Sequence, residues 1–288
     1  MPHPLSHHRI VLLGATGMLG RAWRELFEKH DIEYLAPPRR ELDLATPRAI
    51  HRAIDAPTTL VINCAAFTDV DAAESRHADA LVANAVGPGN IAQRCASINA
   101  TLVHYSTDYV FPGRATDPYT PDAPAEPVNA YGRTKAQGES RIRESTCKHL
   151  IIRTSWLYAP WGKNFVTTMA RLCREKDNLR VVDDQHGRPT SAEHLAHATL
   201  SLLTHDAAGT FHVTDAGQTT WCQLTQRIAA RLNPQCRVEP CTTDEFPRPA
   251  PRPAYSVLEV SQTEALVGPL PHWHENLDDV LDRIEEQE

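Results

Sequence analysis

Three residues in the middle of the chain have the types and the spacing needed to protonate a developing alkoxide. Tyr131 and Lys135 are four residues apart, so on a helix they share one face and the ammonium can stabilise the phenolate. A free tyrosine has a pKa of about 10, which nearby positive charge must lower for catalysis near neutral pH. Thr107, which follows an apolar run, would hydrogen-bond the substrate oxygen. The set predicts an enzyme that transfers a hydride.

A glycine-rich turn near the start of the chain predicts a dinucleotide site. The segment Gly14-Ala-Thr-Gly-Met-Leu-Gly20 lies between an aliphatic run and a stretch with helical spacing. Gly14 permits a tight turn, Gly17 lets the backbone approach a pyrophosphate, and Gly20 lets the helix pack close to the strand. The predicted cofactor contacts in this turn are Gly14, Thr16, Gly17, Met18, Leu19 and Gly20.

The segment after the second expected strand bears on the choice of nicotinamide cofactor. NAD-selective proteins place a carboxylate there, where it hydrogen-bonds the adenosine ribose. This chain has Arg39 and Arg40 at that place and no acid. The pattern favours NADPH, with Arg39 as a cofactor-binding residue, and leaves NADH open. The alternative is that both arginines are solvent-facing loop residues.

Alternating strand and helix patterns would position these residues on one sheet. The expected strands are 9–15, 32–36, 59–66, 101–106 and 149–155. The expected helices between them are 18–30, 46–54, 78–97 and 130–144. Strands separated by helices of this length predict a parallel sheet covered on both faces. The expected fold is therefore α/β, a Rossmann-type doubly wound parallel sheet, and Thr107 would lie at the carboxyl end of its fourth strand, where ligands bind.

The pattern loosens after residue 155 and predicts a smaller C-terminal substrate-binding lobe. The dinucleotide-binding domain is expected to span 1–155, with a contribution from about 179–215, and the lobe to comprise 156–178 and 216–288. Segments 179–182 and 209–213 are expected to be strands of the main sheet, with a helix over 191–203 between them. The proline-rich stretch 237–258 is expected to be an ordered loop over the site, because proline cannot occupy a central strand. A disordered linker is the alternative.

Composition excludes several classes of function. A net charge of −7 argues against a nucleic-acid groove, although a small anionic ligand can still be held locally. Seven cysteines without a C-x-x-C argue against a disulfide framework and a zinc knuckle. His194 and His197 lack a third ligand, so no metal site is predicted there. The absence of a long apolar run and of a secretory pattern in residues 1–10 predicts a cytoplasmic protein without a membrane segment.

Several segments, in order along nearly the whole chain, resemble one family. They are Asn63-Cys-Ala-Ala-Phe-Thr-Asp-Val-Asp-Ala-Ala-Glu74, Tyr105-Ser-Thr-Asp-Tyr-Val-Phe-Pro-Gly113, Arg153-Thr-Ser-Trp-Leu-Tyr158, Asp184-Gln-His-Gly-Arg-Pro-Thr190 and Arg252-Pro-Ala-Tyr-Ser-Val-Leu258. With the Thr107, Tyr131 and Lys135 set, the chain resembles the extended short-chain dehydrogenase/reductases and, within them, the dTDP-4-dehydrorhamnose reductases.

The resemblance implies roles for further residues. It assigns Asp43 and Leu44 to the adenine, Ala65 and Ala66 to the backbone that lines the cofactor, and Lys135 to the nicotinamide ribose. Tyr131 is also expected to be a cofactor-binding residue. It assigns to the sugar pocket Val70, Thr107, Asp108, Tyr109 and Trp156. The face of Trp156 could stack on a deoxysugar, or the side chain could serve packing alone. Arg252 is a weaker candidate for the diphosphate, because a planar guanidinium suits phosphate oxygens.

The activity implied by the resemblance is reduction of the C4 ketone of dTDP-4-dehydro-L-rhamnose. The alternatives are a reductase or epimerase of another nucleotide 4-keto sugar and a non-catalytic regulatory subunit of the same fold. Related 4,6-dehydratases carry Asp-Glu after the threonine, whereas Tyr109 follows Asp108 here, so dehydration is not expected. The implied partner is a nucleotide-sugar, and the chain is expected to be a monomer or a homodimer. Some relatives dimerise around Mg²⁺ through acidic residues, for which 278–288 could serve.

Overall fold

Short aliphatic runs that end at glycine or polar residues form the main sheet. The computed structural model of the protein describes residues 5–286. Its strands are β1 Ile10–Leu13, β2 Tyr34–Leu35, β3 Leu60–Asn63, β4 Thr101–Thr107, β5 His149–Thr154, β6 Leu157–Tyr158, β7 Asn178–Val182, β8 His186–Gly187, β9 Thr190–Ser191, β10 Gly209–His212, β11 Thr219–Thr220 and β12 Arg237–Cys241. All but a few of the residues in β1, β3, β4 and β5 are buried, as expected for strands covered on both faces.

Helices follow most of these strands. They are α1 Met18–Lys29, α2 Pro47–Ala53, α3 Ala72–Ser75, α4 His77–Leu81, α5 Gly87–Ser97, α6 Ala130–Glu144, α7 Phe165–Glu175, α8 Ala192–Thr204, α9 Trp221–Leu232, α10 Ser261–Val267 and α11 Trp273–Glu285. Single turns of 3-10 helix occupy Arg39–Glu41 and Asp108–Val110, and a π-helical segment, Val82–Val86, joins α4 to α5. None of the helices within 5–286 is long and apolar enough to span a membrane.

Within the described residues, six strands form the main sheet in the order β10-β5-β4-β3-β1-β2, and every pairing is parallel. Alternate side chains of β1 face opposite layers: Ile10 and Leu12 pack with α1 and α8, whereas Val11 and Leu13 pack with α2 and α5. The predicted doubly wound Rossmann-type sheet is therefore confirmed. The strand order reverses between β1 and β3, and this is the point where such sheets bind ligands.

The assignment of residues 179–182 to the main sheet was wrong, whereas β10 and α8 agree with prediction. β7 instead pairs with β12 in a separate two-stranded parallel sheet. The physical reason is visible in its side chains, because Leu179 and Val181 are buried while Asn178 and Arg180 are exposed. Such alternation suits a strand with one solvent-facing side, not a central strand buried on both faces.

The proline-rich stretch divides into a strand and an ordered loop. Its first part is β12, which tolerates Pro240 because, in the part of the chain that the structure describes, β12 pairs with a strand on one side only. The remainder is tied down by hydrogen bonds: the Asp71 carboxylate accepts from Arg248 and from the Ala250 N–H, and the Asn129 amide donates to the Pro251 carbonyl. The ordered-loop prediction is confirmed beyond β12, and the disordered alternative is wrong.

Part of the second half of the chain, without α8 and β10, builds a core of its own. Helices α7, α9 and α11 pack their apolar faces together, with Val166, Ile228 and Leu277 fully buried among them. β7 contributes Leu179 and Val181 to this core. A smaller lobe thus stands beside the main sheet.

Candidate active site

Thr107 ends β4 at the edge of the sheet where ligands bind. It caps the single 3-10 turn that follows, because its Oγ1 accepts the N–H of Tyr109 at 3.2 Å. The same hydroxyl donates to Oδ1 of Asp108 at 2.9 Å. Both Thr107 and Asp108 are buried, so this part of the predicted sugar pocket forms a fixed polar group at the end of the strand.

Tyr131 is brought to this turn by the start of α6, whose observed bounds match the predicted helix. The Asn129 side chain caps the helix by accepting the Gly132 N–H at 2.8 Å. A Cβ at Gly132 would lie 2.0 Å from the Tyr109 carbonyl oxygen, so only glycine allows α6 to pack this closely on the turn. The rings of Tyr109 and Tyr131 meet edge to face, with centroids 6.0 Å apart.

The pKa of Tyr131 moves in the direction opposite to the prediction. Burial raises it, the negative charge of Asp108 raises it further, and the Thr107 hydroxyl lowers it only in part. Lys135 directs its ammonium to β4, where it donates to the Tyr105 carbonyl at 2.5 Å. The expected lowering of the Tyr131 pKa by Lys135 is therefore absent among the protein's own side chains, where burial and the charge of Asp108 set the direction.

Lys135 is itself buried, and this changes its acidity. Burial lowers the pKa of Lys135 to about 8, although Glu139, one helical turn further on, opposes the change. His104, which sequence reasoning missed, lies 3.3 Å from the ammonium. Burial, and then the charge of Lys135, lowers the His104 pKa well below its usual value. A neutral His104 can accept from Lys135 while its other nitrogen contacts Asn63 at 3.0 Å; a histidine inside an apolar strand run was the available sequence signal.

The glycine-rich turn has the geometry that its pattern predicts. Gly14 has a φ of +75°, and a Cβ there would lie 2.6 Å from the Ala65 nitrogen. A Cβ at Gly20 would lie 2.1 Å from the Gly14 carbonyl oxygen. Gly17 is the N-cap of α1, with Met18 and Leu19 opening the helix. Backbone and helix N-terminus thus fit a pyrophosphate at the point where the strand order reverses.

The residues expected around the adenosine lie on the segment after β2. Arg39 is exposed on its single 3-10 turn, so its guanidinium is accessible. The carboxylate of Asp43 accepts from the Thr46 hydroxyl at 2.6 Å and the Ala45 N–H at 3.0 Å, and these bonds lower its pKa. Leu44 packs against Gly87, where a Cβ would lie 2.7 Å from the Leu44 Cβ. Asp43 therefore organises its own turn as well as facing solvent.

Trp156 has an unusual backbone and a protein partner for its ring. Its φ is +47°, a left-handed conformation that is uncommon for a bulky residue and typical of functional sites. Its indole stacks on Trp221 with centroids 3.5 Å apart and an interplanar angle of 9°. A Cβ at Gly187 would lie 2.5 Å from the same indole. One face of the Trp156 ring, which the sequence predicted to stack on the sugar, is therefore covered by Trp221 of the smaller lobe.

Of two other expected ligand contacts, Arg252 and Val70, the first already has partners within the protein. The guanidinium of Arg252 pairs with Asp71 at 3.0 Å and donates to the Ala250 carbonyl at 2.7 Å. Its side chain is only 13% exposed. Val70, directly before Asp71, is half-buried on the loop between β3 and α3. The loop from Val70 and the proline-rich loop are therefore joined by ion pairs next to the candidate site.

The acidic residues considered for Mg²⁺ lie mostly on α11, and residues 287 and 288 lie outside the described part of the chain. Asp282 and Glu285 pair with Arg231 at 2.6 and 3.0 Å, and Asp278 pairs with Arg227. Within residues 5–286 no group of three or more potential ligands could hold a metal ion. His194 contacts Asp215 at 2.5 Å instead.

Comparison with known proteins decides the family. The family described as RmlD substrate binding domain matches residues 8–286. A dTDP-4-dehydrorhamnose reductase of Streptomyces griseus is 40% identical over 279 residues, covering 94% of this chain and 92% of that protein. The chain belongs to the RmlD family of dTDP-4-dehydrorhamnose reductases.

Solved structures of RmlD-family proteins have the same fold. A dTDP-4-dehydrorhamnose reductase from Clostridium acetobutylicum is 38% identical, with a TM-score of 0.92 and coverage of 96% of this chain and 99% of that one. The Bacillus anthracis reductase, solved in complex with NADP, is 34% identical, with a TM-score of 0.90 and the same coverage. The family resemblance predicted from the sequence is confirmed.

Proposed function

We propose that this chain reduces the C4 ketone of dTDP-4-dehydro-L-rhamnose to give dTDP-L-rhamnose, with NADPH as the hydride donor. The observation that carries the proposal is the meeting of Thr107 and Tyr131 at the carboxyl end of β4 in a chain of the RmlD family. One ketone, one hydride and one proton give the secondary alcohol. The activity named for the Streptomyces griseus relative supports this choice of sugar.

The side chains divide the chemistry as follows. Bound nicotinamide supplies the hydride. Tyr131 donates the proton to the developing alkoxide, Thr107 positions the substrate oxygen, and Lys135 holds the nicotinamide ribose. The sugar contacts in this proposal are Val70, Asp108, Tyr109 and Trp156. Arg252 shares its charge with Asp71, so a contact from it to the diphosphate requires that this ion pair loosen.

The test is turnover by the purified protein. We expect oxidation of NADPH, followed at 340 nm, on addition of dTDP-4-dehydro-L-rhamnose, with dTDP-L-rhamnose as the product by mass spectrometry and NMR. The same assay is run with other nucleotide 4-keto sugars. Turnover of one of those alone would replace the substrate, and binding of NADPH without turnover of any of them would favour the regulatory-subunit alternative.

A second prediction concerns cofactor preference. Replacing Arg39 by alanine is expected to raise the KM for NADPH about tenfold, because one charged hydrogen bond to the 2′-phosphate is worth roughly 1.4 kcal/mol. The KM for NADH, which lacks that phosphate, should stay the same. Arg24→Ala, on the exposed side of α1, is the control for loss of a surface charge. An unchanged KM for both cofactors would make Arg39 a solvent-facing loop residue.

We also propose that 156–178 and 216–288, together with β7, form the lobe that binds the nucleotide-sugar. The separate core of α7, α9 and α11 supports this division.

A cytoplasmic location is part of the same proposal. All seven cysteines, which lie within the described residues, are free thiols, in keeping with a reducing compartment.

A further inference from the structure

The carboxyl group of Asp108 lies in an environment that disfavours its charge. The residue is only 2% exposed. Its Oδ1 accepts from Thr107, whereas its buried Oδ2 has no hydrogen-bond partner within residues 5–286. The Ser256 hydroxyl on the proline-rich loop lies close to this carboxyl as well as to the His186 carbonyl, which is 3.4 Å away. Contacts with Ser256, Thr107 and the Asp108 and Tyr109 N–H groups lower the Asp108 pKa, but burial has the larger effect. An ionised carboxylate with a buried unpaired oxygen is costly, so burial raises the pKa of Asp108 to about 7.

The protonation of Asp108 decides where the Thr107 proton points. A threonine hydroxyl has one proton and two lone pairs, and the Tyr109 N–H already occupies one lone pair. An ionised Asp108 can only accept, so the single Thr107 proton is directed to it at 2.9 Å. A neutral Asp108 can donate to the second lone pair instead. The Thr107 proton is then released from Asp108 and can turn to the Tyr131 hydroxyl or to a substrate oxygen.

The same charge affects the proton donor. The ionised form of Asp108 raises the pKa of Tyr131 beyond the effect of burial. Proton donation by Tyr131 leaves a phenolate, and a phenolate next to a carboxylate is disfavoured. Neutral Asp108 removes this repulsion. Both effects therefore select the same protonation state.

We propose that Asp108 is a positioning residue that supports reduction in its neutral form, because it turns the Thr107 hydroxyl towards the substrate oxygen and spares Tyr131 a neighbouring negative charge. This inference rests on the proposed ketone reduction, which supplies that oxygen. Asp108 itself exchanges no proton with the substrate in this scheme.

The other charged groups around the site leave Asp108 as the first to change as pH rises. Tyr109 from its own turn and Tyr131 from α6 both have raised pKa values, so they stay neutral. Arg252 and Asp71 act on Tyr109 and are paired with each other. Lys135 loses its charge at higher pH than Asp108, because its pKa is about 8.

The first test is the pH profile of kcat/KM for the wild type and Asp108→Asn. The wild type should lose activity on the alkaline side from about pH 7, as Asp108 ionises. The asparagine amide can donate to Thr107 at every pH, so the alkaline limb should move towards about pH 8, where Lys135 titrates. An alkaline limb at the same pH in both proteins would overturn the proposal.

The second test needs neither cofactor nor substrate. Folded protein holds the Asp108 proton up to about pH 7, whereas an unfolded aspartate loses it near its ordinary pKa, so the wild type loses stability as pH rises between them. The Tm of Asp108→Asn relative to wild type should therefore increase from pH 5 to pH 8. Asp122→Asn, an exposed position, should show no such increase.

The two tests separate the two ideas. A Tm difference for Asp108→Asn that stays constant from pH 5 to pH 8 would show that Asp108 is ionised throughout, and the proposal would be overturned. A protein that reduces no nucleotide 4-keto sugar would instead refute the proposed function, while the Tm measurement would still report the protonation of Asp108.

Discussion

Replacing Tyr131 by phenylalanine is expected to lower kcat/KM about 10²- to 10⁴-fold, the range typical of a lost general acid. The substitution keeps the ring that packs edge to face on Tyr109 and removes only the hydroxyl. Steady-state kinetics with NADPH and the keto sugar measure the loss. It should fall on kcat, because the proton is needed in the transition state and contributes little to binding of the ground state.

Two control measurements test whether the loss of activity has a cause other than the missing hydroxyl. Fluorescence titration should show that Tyr131→Phe still binds NADPH, because the glycine-rich turn is untouched. Tyr34→Phe, which removes a hydroxyl on β2, serves as the matched control with unchanged kinetics. Wild-type turnover in Tyr131→Phe would require a different proton source and would remove the central residue from the proposed mechanism.

The sequence predicted the main sheet and α6 well because local patterns determine them. The aliphatic runs of β1, β3, β4 and β5 are short and almost fully buried, as central strands require. The Asn129 cap and the glycine at 132 start α6 at one defined residue. The error at β7 came from reading an aliphatic segment without weighting its alternation. The alternation of apolar and polar residues in 178–182 was visible in the sequence, and it favours a strand with one solvent-facing side.

The electrostatics of the site could not be predicted in the same way. A spacing of four residues places Lys135 and Tyr131 on one helical face, but the direction of a long side chain depends on acceptors supplied by another element. Here the Tyr105 carbonyl on β4 provides the acceptor. The stack of Trp156 on Trp221 likewise joins residues 65 positions apart, which no local pattern reveals. Tertiary contacts therefore set the charges and ring partners that the chemistry uses.

A buried ion pair beneath the site affects both the stability of the fold there and the charge of a site residue. Glu139 is fully buried and accepts from Arg153 at 2.9 and 2.7 Å, so β5 is tied to α6. Burial works to raise the pKa of Glu139, but Arg153 outweighs it and holds that pKa below its usual value. Glu139 in turn opposes the loss of charge on Lys135. The pair thus supports the helix that carries both catalytic side chains.

Replacing Arg153 by methionine is expected to lower the free energy of unfolding by about 3–5 kcal/mol at pH 8, because it leaves a buried carboxylate without its main partner. The Pro121 carbonyl, which accepts from Arg153 at 2.8 Å, also loses its donor. Without Arg153 the pKa of Glu139 should rise above its unfolded value. The variant then binds a proton that the unfolded chain releases, so its deficit should shrink between pH 8 and pH 5.

Urea denaturation at both pH values measures this, with Arg171→Met as the matched control. Arg171 pairs with Glu175 at 2.6 Å on the exposed side of α7, where both side chains are more than half solvent-accessible, and such pairs contribute about 0–1 kcal/mol. A similar loss in both variants would mean that the buried position of the Glu139 pair is irrelevant. A deficit of Arg153→Met that is the same at pH 5 and pH 8 would show that the missing Pro121 contact, which does not titrate, causes the effect instead of the unpaired charge.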